Sequence, residues 1–379
     1  ERTVRRLGLL LNANYAYDNR YLADISVRRD GSSQFGANRR YGTFWSAGLG
    51  WNVHNEAFFK ENPNVNRLKL RASYGSSGSL NIPAYRAQTR YTFGVDNVYD
   101  GDLGAVIMGL GNTELGWQDV RTLNLGIDVT LFNERLDMRF DHYKSITHNT
   151  ITSVSLAPSN GFSSYSENLG KIQNTGYELY ARYKIIDNKS KGIIWSVNAA
   201  AVTNKNILKE LSNKLKASNT RANASSNQKV PNIMLEEGQA INTLFVVRSL
   251  GVDPVTGAEV LLKKDGTTTF SWAAADKVAA GITDPKWNGT FGSNLTYKGL
   301  ELNVIFSYRF GGQIYNQTLV DKVQGADTKY NVDRRAYDLG WTKPGDESMF
   351  TRMGTSPVTT RLSSRFVQDE NTLSLNSAS

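Results

Sequence analysis

Along much of the chain, apolar and polar residues alternate one for one. Between Leu7 and Tyr17, the residues Leu7, Leu9, Leu11, Ala13, Tyr15 and Tyr17 fall on one side and Gly8, Asn12, Asn14 and Ala16 on the other, with Leu10 the exception. A period of two sends successive side chains to opposite faces of an extended strand. The pattern returns at Tyr21 to Arg29, Thr43 to Val53, Arg67 to Gly75, Arg121 to Leu131, Arg135 to Lys144, Lys171 to Lys184, Ile193 to Thr203, Gly289 to Tyr297, Leu300 to Phe310 and Arg365 to Leu375, which makes about eleven predicted strands. Several polar faces carry charge in mid-strand. Glu178 and Arg182 oppose Tyr177, Leu179, Ala181 and Tyr183, while Glu301, Asn303 and Arg309 oppose Leu300, Leu302, Val304, Phe306 and Tyr308. One face requires water and the other avoids it.

The connections between these strands alternate in length. Short ones are Asp18-Asn19, Phe132 to Glu134, Ile185 to Lys191 and Lys298-Gly299, with Asn55 to Asn66 of middling length. Long ones are Asp30 to Gly42, Ser76 to Val120, Ser145 to Gly170, Asn204 to Asn288 and Gly311 to Ser364. A turn such as Lys298-Gly299, whose glycine takes positive φ freely, joins antiparallel neighbours. Short turns at one end and long loops at the other are the signature of an all-β, antiparallel transmembrane β-barrel of the outer-membrane type, with the long loops facing outward. Aromatic residues near the predicted strand ends, among them Tyr15, Tyr21, Trp51, Tyr74, Trp195 and Tyr297, are expected to form the interfacial girdles of such a barrel.

Composition agrees with many strands and many turns. The 379 residues include 33 Gly, 18 Tyr, 15 Phe and 7 Trp but only 8 Pro. Mean hydropathy is −0.42, which resembles a soluble protein. A membrane-crossing strand, however, needs only about 9 to 11 residues with every second one apolar, so its average stays low. Apolar runs such as Leu7 to Leu11 and Leu244 to Val247 fall far short of the roughly 18 to 20 residues of a spanning helix. The net charge of +9 is scattered, with no cluster longer than pairs such as Arg28-Arg29, Arg39-Arg40 and Arg334-Arg335, and no nucleic-acid-binding signature accompanies it. There is no cysteine, hence no disulfide framework and no thiolate metal site. The N-terminal stretch ERTVRRLGLLLNANY enters alternation at once and lacks a small-residue cleavage site, so it is not read as a signal peptide.

The residues for catalysis are not assembled in the sequence. His54, His142 and His148 are the three histidines, and no HExxH, GxSxG, phosphate loop or GxGxxG occurs. The neighbouring carboxylates Glu236-Glu237 and Asp369-Glu370 point to opposite faces when extended, and the glycines of Asp30 to Gly36 are followed by no helix that would make an anion site. No catalytic residue, metal site or cofactor is expected, and the chain is not read as an enzyme.

Six blocks follow one another along the chain: RRDGSSQFGANRRYGTFWSAGLGWNVHNEAFF from Arg28, LKLRASYGSSG from Leu68, ELGWQDVRTLNLGIDVTLFNERL from Glu114, ENLGKIQNTGYEL from Glu167, DPVTG from Asp253 and DPKWNGTFGSNLTYKGLELNVIFSYRFGGQIYN from Asp284. In this order they resemble the SusC/RagA family of TonB-dependent outer-membrane receptors. The resemblance implies a barrel of about 22 strands, plugged by an N-terminal domain, engaged by TonB and closed by a SusD-like surface lipoprotein. Residues 1–379 would then be a partial barrel domain that begins inside the barrel, after plug and TonB-contacting segment, and stops before the last strands.

By the same resemblance the function would be energy-coupled import of an oligosaccharide or oligopeptide across the outer membrane of a Gram-negative bacterium. Tyr85, Tyr91, Trp272 and Trp341, in the long loops, are candidates to stack on cargo; the alternative is that they pack the loops together or against the lid. Two other readings remain open at this point: a structural or adhesive outer-membrane barrel, and a soluble β-rich glycan-binding module or enzyme.

Overall fold

A computed structural model describes residues 3–59, 62, 64–79, 82–99, 102–155, 164–168, 170–213, 216, 234–327, 329–353 and 361–379. In chain order its strands are β1 (Arg6–Tyr17), β2 (Tyr21–Ser32), β3 (Tyr41–Asn52), β4 (Val65–Ser79), β5 (Arg90–Tyr99), β6 (Asp102–Gly109), β7 (Gln118–Leu131), β8 (Leu136–His148), β9 (Ile151–Ser155) and β10 (Ser164–Asn168). They continue as β11 (Lys171–Asn188), β12 (Ile193–Glu210), β13 (Thr243–Val252), β14 (Glu259–Leu262), β15 (Thr268–Thr269), β16 (Lys277–Ile282), β17 (Trp287–Tyr297), β18 (Leu300–Tyr315) and β19 (Val367–Ala378).

All eleven predicted strands join one sheet in the order β1-β2-β3-β4-β7-β8-β11-β12-β17-β18-β19. The order follows the chain because each connection returns the chain beside the strand it left. At the first turn Asp18 and Asn19 both take positive φ, 49° and 50°, and the Arg20 amide donates to Tyr17 O at 2.9 Å. That turn twists in the same sense as the strands it joins. The Asn19 carbonyl also accepts from the side-chain amides of Asn52 and Asn55, at 2.7 and 2.9 Å, which ties two neighbouring short turns together. Strands β11 and β12 are each 18 residues long, about 60 Å when extended.

Register fixes which side chains share a face. Ile127 of β7 lies opposite Leu70 of β4 and Phe140 of β8, while Gly126 lies opposite Arg71 and Asp141. The apolar row is the exposed one: Leu9 is 75%, Leu302 52% and Ile127 41% exposed. Hydrophobic burial therefore does not happen against another layer of this sheet, and the apolar core lies among the connections instead.

The chain divides into two compact units. The first comprises 1–218, 287–308 and 373–379, and the second 219–286 and 309–372. In the first unit the small core Phe35, Ile82, Ala87 and Leu115 packs the long connections onto each other. Trp117 closes over it, 4.6 Å from the Phe35 ring, and donates its indole N–H to Arg40 O at 3.0 Å. Gly36 has to be glycine here, since a Cβ would fall 1.9 Å from Thr113 O. The blocks DGSSQFG and ELGW, distant in sequence, thus form one packed corner.

The second unit carries a four-stranded sheet, β15-β14-β13-β16. The run Phe245, Val246 and Val247 of β13 is buried on both faces, so it does not alternate as the long strands do. The sequence predicts long loops where the structure has this sheet and the hairpins β5–β6 and β9–β10. Its main core gathers Val246, Tyr315, Leu319, Val320, Val323, Phe350, Leu362 and Phe366.

Candidate functional site

Two arrangements concentrate polar chemistry, one on the polar face of the long sheet and one in the second unit. On the sheet, Arg71 grips Asp128 with Nε and Nη2 at 3.1 and 3.0 Å, and its Nη2 also donates to Asp141 Oδ1 at 3.0 Å. Arg139 Nε donates to the same Asp128 at 3.2 Å. One strand further on, Arg182 donates through Nε to Asp137 at 3.2 Å, and Thr130 donates to that carboxylate at 3.1 Å. Three arginines face three aspartates across β4, β7, β8 and β11, so the row is neutral as a whole. The glycine at 126 makes the crossing possible, since a Cβ there would meet Asp141 Oδ1 at 2.5 Å and Arg71 Nη2 at 2.6 Å. Sequence reasoning recognised charge on these faces but did not pair it.

In the second unit a cavity of about 600 Å³ is lined by Glu259, Phe270, Trp272, Gln324, Arg352 and Arg361 among others. Its floor is an ion-paired polar network in which Glu259 Oε1 and Arg365 Nε are buried without a hydrogen bond. Arg365 pairs with Glu259, Nε to Oε1 at 3.3 Å, and donates to Gln324 Oε1 at 2.9 Å, which also accepts the Thr351 amide at 3.2 Å. Burial lowers the pKa of Arg365, and the neighbouring Glu259 offsets only part of that effect. Trp272 forms a wall: its indole N–H donates to Leu362 O at 2.8 Å, and the Arg361 guanidinium lies 5.7 Å from its ring centre. Phe270, 61% exposed, stands beside it.

The four aromatic residues singled out from sequence have different fates. Trp272 lines the cavity. Trp341 is 7% exposed, donates its indole N–H to Pro254 O at 2.8 Å, and packs where a Cβ on Gly257 would strike it at 2.5 Å. Its ring closes the DPVTG turn, whose Gly257 takes φ +69°, and offers no open face. In the first unit, Tyr85 takes positive φ, 65°, and its hydroxyl accepts the Thr3 amide at 2.9 Å. Tyr91 is exposed on the β5–β6 hairpin. Phe270, Arg352 and Arg361 were missed by sequence reasoning; the spacing of Phe270 and Trp272, which puts both on one side of an extended segment, was the available signal. Among the described residues no group of three or more His, Asp or Glu gathers to hold a metal ion.

A long antiparallel sheet with an exposed apolar face, an ion-paired polar face and short turns at one end is the architecture of an outer-membrane barrel wall. A family profile described as "TonB dependent receptor-like, beta-barrel" matches residues 1–344. The chain belongs to the TonB-dependent receptor β-barrel family. Among relatives of this TonB-dependent receptor chain, TonB-dependent receptor P3 of Formosa agariphila is 31% identical over 83% of the chain and 32% of its own length. TonB-dependent receptor SusC of Bacteroides thetaiotaomicron is 25% identical over 88% of the chain and 34% of its own length. The RagAB peptide transporter structure superposes with a TM-score of 0.82 and 25% identity, covering 98% of this chain and 40% of that one. The chain spans about a third of the length of the curated relatives it matches.

Membership of the TonB-dependent receptor family assigns the environments of the two faces. Leu9, Ile127 and Leu302 face outer-membrane lipid, and the row from Arg71 to Arg182 faces the barrel interior. An exposed apolar sheet face, which would promote aggregation in water, is the expected surface in a bilayer. The soluble reading is thereby set aside.

Proposed function

We propose that this chain is part of one barrel domain, residues 1–379, of an importer that carries oligosaccharides or oligopeptides through the outer membrane, energised by TonB and closed by a SusD-like lipoprotein. The observation that carries the reading is the pair of faces on the eleven-stranded sheet. Its outer row is apolar and its inner row holds charge in mid-membrane, which is tolerated only where water or protein fills the interior. Likeness to SusC and to the RagAB peptide transporter adds support for a nutrient-uptake role and for a lipoprotein partner. Within that role Tyr91 and Trp272 are the proposed cargo contacts, with Tyr85 and Trp341 holding the loops that present them.

The test is deletion of the full-length gene in the producing bacterium, followed by growth on single oligosaccharides and on peptides. Loss of growth on one cargo class, reproduced by inactivating TonB, supports import. Co-purification of a surface lipoprotein with the tagged receptor supports the lid. Unchanged growth on every cargo, with the heat-resistant barrel present in the wild-type envelope, would return the structural or adhesive barrel to first place.

A further inference from the structure

We infer that the cavity of the second unit is a binding subsite for an acidic oligosaccharide, taking a uronic carboxylate or sulfate ester on Arg352 and Arg361 and the sugar ring against Phe270; this rests on the importer reading above. The first observation is the charge balance. Glu259 in the floor is matched by Arg365, and no carboxylate pairs with Arg352 or Arg361 among the described residues. The lining therefore carries two uncompensated guanidinium groups, each a planar fork suited to a carboxylate or sulfate.

The second observation is the shape and finish of the walls. Gln324 and Thr351 spend hydrogen bonds on each other and on Arg365, and Glu259 is held as the ion-pair partner of Arg365. What is left for a ligand is cationic at Arg352 and Arg361 and flat and aromatic at Phe270. A volume of about 600 Å³ falls in the range of small-molecule pockets.

An extended peptide is disfavoured by the backbone. Peptides commonly bind by adding a strand to a free sheet edge. Leu261 of β14, which lines the cavity, is paired on both sides, with Ser249 of β13 and with Thr269 of β15. Recognition here must go through side chains, and the C–H face of a pyranose against an aromatic ring, with its acid group on arginine, uses those that are present.

The experiment is titration of the full-length receptor, purified from outer membranes, with oligogalacturonate, a sulfated oligosaccharide, a neutral hexasaccharide and oligoglutamate. One of the two acidic saccharides should bind, more weakly as salt rises. Arg352→Gln and Arg361→Gln should each weaken that binding by about tenfold, with the unboiled gel band unchanged. Phe270→Ala should weaken it while leaving the salt dependence intact. Equal binding of the neutral hexasaccharide, tighter binding of oligoglutamate, no binding of either acidic saccharide, or arginine variants that lose lipoprotein co-purification but keep saccharide affinity would each overturn the inference. Binding is read without growth, so a receptor that binds acidic saccharide yet supports no uptake separates failure of the importer reading from failure of this one.

Discussion

Arg71 and Asp141, 70 positions apart in the chain, meet at 3.0 Å across an intervening strand, over the backbone of Gly126. The contact exists because Arg71, Gly126 and Asp141 stand in one cross-strand row of β4, β7 and β8. Asp141 is 7% exposed, so removing its partner strands a carboxylate in a poorly hydrated place.

Gly126→Ala should push the arginine and the aspartate apart and cost about 1–3 kcal/mol. Arg71→Gln and Asp141→Asn should each cost a similar amount, and the double variant less than their sum. Denaturant unfolding of the full-length receptor in detergent measures all four. Additive costs would show that the two side chains are not coupled.

The two faces of β7 should respond differently to the same charge. Ile127→Arg, on the lipid face, is expected to cost about 2–4 kcal/mol, whereas Asn124→Arg, on the interior face, should cost much less. Urea titration into lipid vesicles reads the difference. Equal costs would mean that the faces are wrongly assigned.

Glu56, beside the short turns, should make the barrel acid-sensitive. The Trp51 indole N–H, donating at 2.9 Å, holds its carboxyl below the ordinary carboxylate range, helped by Tyr21 and by Arg20 at 3.3 Å. The folded pKa lies below the unfolded one, so this stabilisation is present at neutral pH and is lost as pH falls through the carboxylate range toward the folded value. Glu56→Gln should lower the temperature at which the unboiled band shifts at pH 7, and narrow the gap from wild type at acid pH. A constant gap across pH would remove Glu56 from the account.

The packed corner of long connections should open when Gly36 gains a side chain. Gly36→Val places carbon where Thr113 O now sits 1.9 Å from an ideal Cβ, and it breaks the Gly36 amide bond to Leu115 O of 2.8 Å. Limited proteolysis of intact cells should then cut near Asp30 to Gly42 at a faster rate than in wild type, with the heat-resistant band preserved. Identical cleavage would show that the corner does not depend on this contact.

Much of the architecture was legible in the chain because its signals are local. Period-two alternation located all eleven strands of the long sheet and told which face was apolar, and turn residues such as Asp18-Asn19 and Lys298-Gly299 told which end was short. Alternation begins the last strand at Arg365, two residues before β19, because Ser364–Phe366 forms a turn of 3-10 helix there. Family blocks such as DGSSQFG and ELGW could be seen, but not that they touch.

What only the tertiary structure decided is which distant residues meet. Register chose Asp128 and Asp141 for Arg71, because pairing across strands depends on hydrogen-bond alignment that alternation leaves free by steps of two. Folding within the long connections buried Trp341 under Gly257 and brought Phe270 and Trp272 to a cavity shared with Arg352 and Arg361. An aromatic residue in a polar loop looks the same in sequence whether it is packing or platform. Burial, which is a property of the neighbours the fold supplies, separates the two.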